Sequence, residues 1–278
     1  MSRPLATHPF RAISQRGPRA PWAWAGAGAV LGLTVTLILQ APADCLASAV
    51  GQSTGGKVVL SEARGTVWTG SARLQLSGGA GSRDLSTLPG RVNWRLRPTN
   101  LGLSIGLGAD CCTPEPMALI LAPTWGGVKL QVLDHTSATK QPTVWPAAVL
   151  SGLGAPWNTL QVEGQLSLST QGLSVEWSAG RPVIAGSAEL IASNMSSRLS
   201  TLKPMGSYRI TVNGGTTATL EIMTLDGSLQ VSGTGRWVGS RLRFEGEASA
   251  APEREAALSN LLNIIGRRRG ARSIITLG

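Results

Sequence analysis

Residues 57–79 read KVVLSEARGTVWTGSARLQLSGG, and bulky apolar side chains alternate there with small or polar ones. Successive side chains of a strand point to opposite faces, so this period of two predicts two β-strands. Residues 64–70 (RGTVWTG) link the two segments, with Val67 and Trp68 as bulky residues among small ones. The alternation continues along the chain and predicts a mainly β domain, in which antiparallel strands form one apolar and one polar face.

Two more hairpins follow. Residues 91–97 (RVNWRLR) alternate apolar with basic or polar side chains, and Pro98 ends the segment. Residues 101–108 (LGLSIGLG) are the predicted partner strand. Residues 119–121 and 128–133 predict a third pair of strands.

Two stretches of the second half resemble each other. Residues 166–175 and 220–231 each predict a strand, a glycine turn and a strand, with the turns at Gly172 and Gly227. Two copies of such a pattern are too few to establish a repeat architecture.

An uncharged run, WAWAGAGAVLGLTVTLILQ, occupies residues 22–40. As a helix it would be about 28 Å long, enough to cross a hydrocarbon core of about 30 Å. Four arginines and no acidic residue precede it, so the positive-inside rule places residues 1–21 in the cytoplasm and the rest of the chain across the membrane. A cleaved signal peptide is the alternative, because Ala41-Pro42-Ala43 resembles a cleavage site. Cys45 raises a lipoprotein as a third interpretation, which Ala43-Asp44 does not fit.

These patterns divide the chain into four predicted parts: a cytoplasmic tail at 1–21, a transmembrane helix at 22–40, an Ala/Ser/Gly linker at 41–56 and an exported β-rich domain at 57–278. A segment rich in proline and tryptophan, 141–157, separates halves of that domain at 57–140 and 158–278. A short helix is expected at 145–153.

The chain is basic, with a net charge of +10. It has no rows of stacking aromatic residues and no nucleic-acid-binding motif, so nucleic acid is not an expected partner. A positive face toward anionic lipid headgroups, an acidic protein partner and simple solubility all remain as explanations. In the anchor, Gly28 and Gly32 form a G-x-x-x-G step, which favours close packing against another membrane helix; a helix that is merely rich in glycine and alanine is the alternative.

The three cysteines, Cys45, Cys111 and Cys112, are an odd number for an exported chain, so at least one is unpaired or bonded between molecules. Adjacent cysteines are expected to bond each other poorly. A bond from Cys45 to one of the other two is conceivable, although their spacing favours no pairing.

No pattern predicts an enzyme. Residues 102–106 (GLSIG) match a nucleophile elbow around Ser104, but the motif lies within a strand pattern and His135 is the only histidine beyond the anchor. One histidine also excludes ordinary histidine-based metal sites, and residues 233–239 miss the dinucleotide-binding spacing. No catalytic residue, cofactor or metal is expected.

The clearest helix pattern is residues 251–266 (APEREAALSNLLNIIG), with Ser249 as the expected cap. Leu258, Leu261, Leu262 and Ile265 form an apolar stripe, which would cover the open face of the sheet or lie on a membrane. Residues 271–277 predict a final strand.

Five segments together resemble the type II secretion system protein N family: RGTVWTG at 64–70, WRLRP at 94–98, MGSYRI at 205–210, TLDGSLQVSGTGRW at 224–237 and the APERE…LLNIIG helix. The anchor, the length and the order of the motifs agree with the family, and the likeness is strongest over 205–278. Residues 110–157 match no pattern of it. The motif positions are Arg64, Gly65, Trp68, Gly70, Trp94, Pro98, Gly206, Tyr208, Gly227, Gly233 and Trp237.

The resemblance implies a non-enzymatic, single-pass accessory component of the inner-membrane platform that exports folded proteins from the periplasm. Its expected partners are other platform proteins, the secretin and membrane lipid. The resemblance also implies a curved, taco-like antiparallel sheet similar to that of AsmA-type envelope proteins. A periplasmic groove that binds or conducts lipid is therefore the alternative function, supported by the one-sided apolar alternation.

Overall fold

The computed structural model describes residues 22–134, 143–178, 181–239 and 241–278. The helices are α1 Trp22–Leu39, α2 Ala43–Ser53, α3 Trp157–Leu160 and α4 Glu255–Ile265, with a 3₁₀ helix at Ala147–Leu153. The strands are β1 Val58–Gly65, β2 Thr69–Ser77, β3 Leu85–Thr87, β4 Val92–Thr99, β5 Gly102–Ala109, β6 Met117–Thr124, β7 Gly127–Leu133, β8 Thr143–Pro146, β9 Val162–Ser178, β10 Arg181–Ser197, β11 Gly206–Asn213, β12 Thr219–Gly227, β13 Leu229–Val238, β14 Arg241–Ala250, β15 Arg267–Arg269 and β16 Arg272–Leu277.

The chain divides into two units, residues 1–40 and 41–278. In the first, α1 is long and apolar enough to cross a membrane by its length and composition. A signal sequence would pass the same test, so the choice between an anchor and a cleaved signal rests on the sequence.

The second unit is one large open antiparallel sheet, so the prediction of a mainly β fold is confirmed. Its order is β1-β2-β4-β5-β6-β7-β9-β10-β11-β12-β13-β14-β16-β15, with β3 paired to β2 and β8 paired to β9. Nearly all strands that are neighbours in the sheet are also consecutive in sequence, because each strand pairs with the preceding strand as an antiparallel hairpin.

The pairing register places apolar side chains on one face of this sheet. Residues directly opposite each other in an antiparallel pair share a face. Three rows read across the strands are Leu96 with Ile105, Leu119 and Val132; Leu121 with Leu130, Val175 and Ile184; and Leu190 with Ile210 and Ile222. A row of the other face is polar throughout: Glu189 with Thr211, Glu221, Thr234, Glu245 and Thr276.

Three separate covers bury parts of the apolar face. Ala43 and Leu46 of α2 pack with Trp94. The 3₁₀ helix contributes Val149 to a second cluster with Leu88, and Ala147 to the largest one. The C-terminal helix α4 supplies the largest cluster's fully buried leucines, Leu258, Leu261 and Leu262.

The middle of the apolar face lies outside these covers. Leu103, Ile105, Leu119, Leu121 and Leu130 share the face but belong to none of the three buried clusters of the described residues. Each is partly exposed. The sheet therefore keeps an apolar strip across β5, β6 and β7.

Several sequence-based boundaries were wrong. Residues 43–53, predicted as part of a linker, form α2, whose apolar side packs on the sheet. The predicted helix at 145–153 is β8 followed by the 3₁₀ helix. The C-terminal helix begins at Glu255 after Arg254, so Ser249 stays in β14 and does not cap it.

The predicted turn at Gly172 is absent, because Gly172 lies inside β9. Its φ is +58°, and Gly186 in the paired strand β10 has a φ of +77°. The register shifts between Ala185 and Ser187 at this point, which is a β-bulge. Both long strands bend at these two glycines and then continue. The bulge accommodates the extra residue of β9 without ending the pairing, and glycine adopts the positive φ that the bend requires. The turn at Gly227, between β12 and β13, is confirmed.

We expect α4 to stabilise the domain through its buried stripe. Leu262→Ala removes a side chain with no exposed surface, so it should lower the free energy of unfolding by about 2–5 kcal/mol. Ile264→Ala, on the exposed side of the same helix, should change it by about 0.5 kcal/mol or less. Thermal melts of the detergent-solubilised full chain, followed by circular dichroism, check this. Equal shifts for both variants would contradict the packing of α4 on the sheet.

Candidate functional site

The turn that joins β1 to β2 is built around two glycines. Gly65 has a φ of +91°, and a Cβ there would lie 2.5 Å from the Thr69 carbonyl oxygen. A Cβ on Gly70 would lie 2.6 Å from the Arg64 carbonyl oxygen and 2.6 Å from the Trp94 ring. These positions admit only glycine, because the backbone approaches itself and the indole too closely for a side chain.

Trp94 fastens this turn to β4. It is 4% exposed, and its indole Nε1–H donates to the carbonyl oxygens of Val67 at 3.0 Å and Thr66 at 3.3 Å. The Leu96 N–H donates to the Trp68 carbonyl oxygen at 2.7 Å. The predicted motifs at 64–70 and 94–98 are therefore two sides of one packed structure, which we call the Trp94 corner (residues 64–70 and 94–96).

The chain enters the second unit at the Trp94 corner. Val67 N–H donates to the Ala41 carbonyl oxygen at 2.8 Å, and Pro42 forms an antiparallel bridge with Thr66. Ala43, 1% exposed, then packs against Trp94. The corner thus fixes the residues that directly follow the apolar helix.

A groove of about 750 Å³ lies beside the Trp94 corner, on the polar face of the sheet. Arg64 and Arg95 line it, and Gly106 and Gly108 leave its surface without side chains. Arg95 and the neighbouring Arg97 are exposed, and neither forms an ion pair or a side-chain hydrogen bond with the described residues. The groove is therefore basic, and Trp94, Pro114 and Pro116 give it apolar surface as well. Asp110 also lines it and accepts hydrogen bonds from Asn93 Nδ2 at 2.7 Å and from the Arg91 N–H.

Pro98 lies in β4 opposite Leu103, on the apolar face. The prediction that Pro98 ends the strand was wrong, because β4 continues to Thr99.

The motif positions of the second half form a separate group. Gly206 and Gly227 face each other across β11 and β12, and a Cβ on Gly227 would overlap the Gly206 Cα. Tyr208 lies beside Gly206 and its hydroxyl donates to the Leu229 carbonyl oxygen at 3.2 Å. Burial raises the pKa of the Tyr208 phenol above its usual value, so the group stays protonated and remains a donor.

Gly233 serves the packing of one aromatic ring. It pairs with Gly246, and a Cβ on it would fall on the ring of Phe244, which is 4% exposed. Trp237 lies on the same face opposite Leu242, and its backbone N–H donates to the Ala218 carbonyl oxygen at 2.9 Å. Glycines at these positions let the Phe244 side chain lie flat over β13 and β14.

The motif positions therefore do not converge on one site. The first group lies on β1, β2 and β4, and the second on β11 to β14, with β5, β6, β7, β9 and β10 between them in the sheet. Most of these residues shape the backbone or bury an aromatic ring, which is a structural role.

The expectation that adjacent cysteines bond each other poorly was wrong here, whereas one cysteine is unpaired, as their odd number predicted. Cys111 and Cys112 are bonded to each other, and Cys45 is free and exposed in α2. Cys112 is buried beside Leu88, and its carbonyl oxygen accepts from the Val144 N–H at 3.0 Å. The two cysteines lie in the connection between β5 and β6, residues 110–116.

In the described residues, the segment 102–106 that matches the nucleophile-elbow pattern does not have the geometry of an elbow. Ser104 lies in the middle of β5, paired with Arg97 on one side and Ile120 on the other, rather than on a strand–turn–helix. His135 falls outside the described residues. No group of three metal-ligating side chains close enough to hold an ion occurs in the described part of the chain.

The sequence did not reveal one grouping of acidic residues. Glu221, Glu245 and Glu247 line a groove of about 560 Å³ on the polar face, with Thr234 between the first two. The three carboxylates come from two strands that are not neighbours, so only the register of β12, β13 and β14 shows that they are close.

Gly28 and Gly32 lie on α1, and a Cβ at either position would meet no described atom within 4 Å. The surface of α1 is therefore open at both glycines, as close packing against another helix requires.

The family model for type II secretion system (T2SS), protein N, matches residues 56–275. The match includes both groups of motif positions and runs through α4. Neither the comparison with curated proteins nor the comparison with solved structures finds a match.

A match over most of the chain, on a large antiparallel sheet preceded by an apolar helix, shows the family. The chain belongs to the type II secretion system protein N family.

Proposed function

We propose that this protein is a non-enzymatic accessory subunit of the inner-membrane platform of a type II secretion system. Residues 1–21 lie in the cytoplasm, α1 spans the inner membrane and the sheet lies in the periplasm. The family match carries the proposal. The apolar helix and the four arginines before it support the orientation.

The membrane helix is one means of contact with other platform proteins. Gly28 and Gly32 are one turn apart, so they share a stripe on which another helix can approach closely. Gly26 lies two residues from Gly28 and thus on a different side of α1.

The sheet edges are a second means of contact. The strand order ends at β1 on one side and β15 on the other. Strand β15 is Arg267–Arg269, and three charged residues discourage strand addition. Strand β1 carries Val58, Val59 and Leu60 in succession, so it is the edge better suited to pairing with a partner's strand.

Co-purification tests the proposed subunit role. Gentle detergent extraction of the wild-type chain should recover other platform proteins. Gly28→Leu with Gly32→Leu should reduce their recovery, because leucines hold the helices apart, while Gly26→Leu should leave it unchanged. A wild-type chain that recovers no secretion protein would contradict the subunit role.

The absence of an enzymatic role has its own test. Ser104→Ala should leave secretion of folded proteins unchanged, because Ser104 lies within a strand ladder and has no base beside it in the described residues. Secretion assays of a chromosomal variant measure this, and a loss of secretion by a stably expressed variant would contradict the proposal.

A second candidate function is a groove that binds lipid. The partly exposed strip across β5, β6 and β7 supports it, because a continuous apolar surface outside the buried clusters is suited to an acyl chain. Ile105 lies on this strip, and its neighbour Ser104 lies on the opposite face of the same strand.

Mass spectrometry of the gently extracted full chain should then detect bound phospholipid or lipopolysaccharide. Ile105→Glu should reduce that lipid, because it places a carboxylate on the apolar strip, and Ser104→Glu should not. A wild-type chain free of lipid would remove this candidate and leave the subunit role intact.

A further inference from the structure

Six strand connections lie at one end of the sheet. Strands alternate in direction along the sheet order, so every second connection returns to the same end. We call this end the tip end; among the described residues it consists of 65–70, 99–102, 124–127, 178, 181, 213–219, 238, 239 and 241 with their flanking residues.

Large apolar side chains are exposed at the tip end. Trp125 is fully exposed between β6 and β7, and Leu101 is 74% exposed between β4 and β5. Four more exposed apolar side chains lie within three residues of these turns: Val128, Trp177, Val183 and Val238. Turns at a purely aqueous surface favour glycine, proline, asparagine, aspartate and serine, so bulky apolar residues there point to a contact that removes them from water.

The charge of the tip end is mainly positive. Among the side chains that the structure describes within three residues of the connections, the basic ones outnumber the acidic ones: Arg64, Arg73, Arg97, Lys129, Arg236, Arg241 and Arg243 against Glu62, Glu176 and Glu221. Glu62 forms ion pairs with Arg73 and Arg91. Basic side chains that surround exposed tryptophan and leucine are typical of surfaces that enter the headgroup layer of an anionic bilayer. Tryptophan in particular favours this layer, because its ring is apolar and its N–H is polar.

The chain enters the sheet at the same end. Ala41 and Pro42 contact Val67 and Thr66, which lie in the connection between β1 and β2. These residues directly follow α1, the helix that we propose to span the membrane. The end with apolar tips is therefore the end that the covalent chain ties to the bilayer.

We propose that the tip end docks on the anionic lipid surface of the membrane that holds α1, with Trp125 and Leu101 inserted among the headgroups. The inference rests on the membrane anchoring in the proposed function, and it concerns lipid contact by the folded domain rather than by the helix. A tip that contacts lipid fixes the orientation of the sheet, so that its strands rise from the bilayer.

Depth-dependent quenching tests the docking. The full chain with Cys45→Ser, which leaves the Cys111–Cys112 bond in place, receives a single labelling site from Trp125→Cys or Leu101→Cys. Each variant carries an environment-sensitive fluorophore and is reconstituted into vesicles of phosphatidylethanolamine and phosphatidylglycerol with nitroxide-bearing lipid. Leu85→Cys is the matched control, since Leu85 is also an exposed leucine but lies in β3 at the opposite end of the sheet.

We expect loss of fluorescence at positions 125 and 101 and none at 85. Arg97→Glu with Arg241→Glu should weaken the quenching at 125, whereas Arg83→Glu, distant from the tips, should not. Equal quenching at 125 and 85, or none at 125 and 101, overturns the docking.

Carbonate extraction separates this result from a failure of the anchor. A chain that carbonate does not release, but whose tips are not quenched, overturns the docking alone and leaves the anchoring intact. A chain that carbonate releases contradicts the anchoring, and quenched tips in the same vesicles at neutral pH would still support lipid contact by the sheet. Quenching at 125 that persists in pure phosphatidylcholine vesicles contradicts the requirement for anionic lipid.

Discussion

The domain depends on the need to cover one apolar face of a single antiparallel sheet. Burial of apolar surface contributes about 25 cal/mol per Å², so a sheet with one bare face gains little unless another element packs on it. Here three short elements do so: α2, the 3₁₀ helix with α3, and α4. Each covers a different part, and no second sheet completes a sandwich among the described residues. The strip across β5 to β7 is what these covers leave.

Close backbone approach explains why five of the eleven motif positions are glycine. Gly70 leaves room for the Trp94 ring, Gly227 for the backbone of Gly206, and Gly233 for the Phe244 ring. A side chain at any of them would push apart elements that bury an aromatic ring or close a tight turn. The family pattern is therefore in large part a record of packing constraints, and it says more about the fold than about a binding site.

The sequence predicted the fold class because the strand period of two is a local signal. The pairs β4–β5 and β6–β7 follow directly from it, and the leucine stripe of α4 follows from the corresponding helical period.

The errors came where tertiary contacts override local preference. The small and polar residues of 43–53 suggested a linker. The segment is instead the helix α2, because Ala43 and Leu46 pack against Trp94 and this contact outweighs the weak local preference. Gly172 suggested a turn, but pairing along both long strands favours a bulge. The gathering of Glu221 with Glu245 and Glu247 depends on register between distant strands, which no local pattern specifies.

The asymmetry between the two ends of the sheet follows from the same topology. In this sheet the connections at the tip end are all short, whereas the longer connections, together with the short turn at Gly227, lie at the other end. The longer connections carry the 3₁₀ helix, α3 and α4, so the apolar residues of that end are buried by the chain itself. The tight turns are too short to fold back over the face, so apolar residues at their tips have no cover within the described chain. The chain also enters the sheet at this end, where Ala41 and Pro42 contact Val67 and Thr66. The exposed tryptophan and leucine at the tips therefore need a cover from outside the sheet, and in the docking that we propose the bilayer provides it.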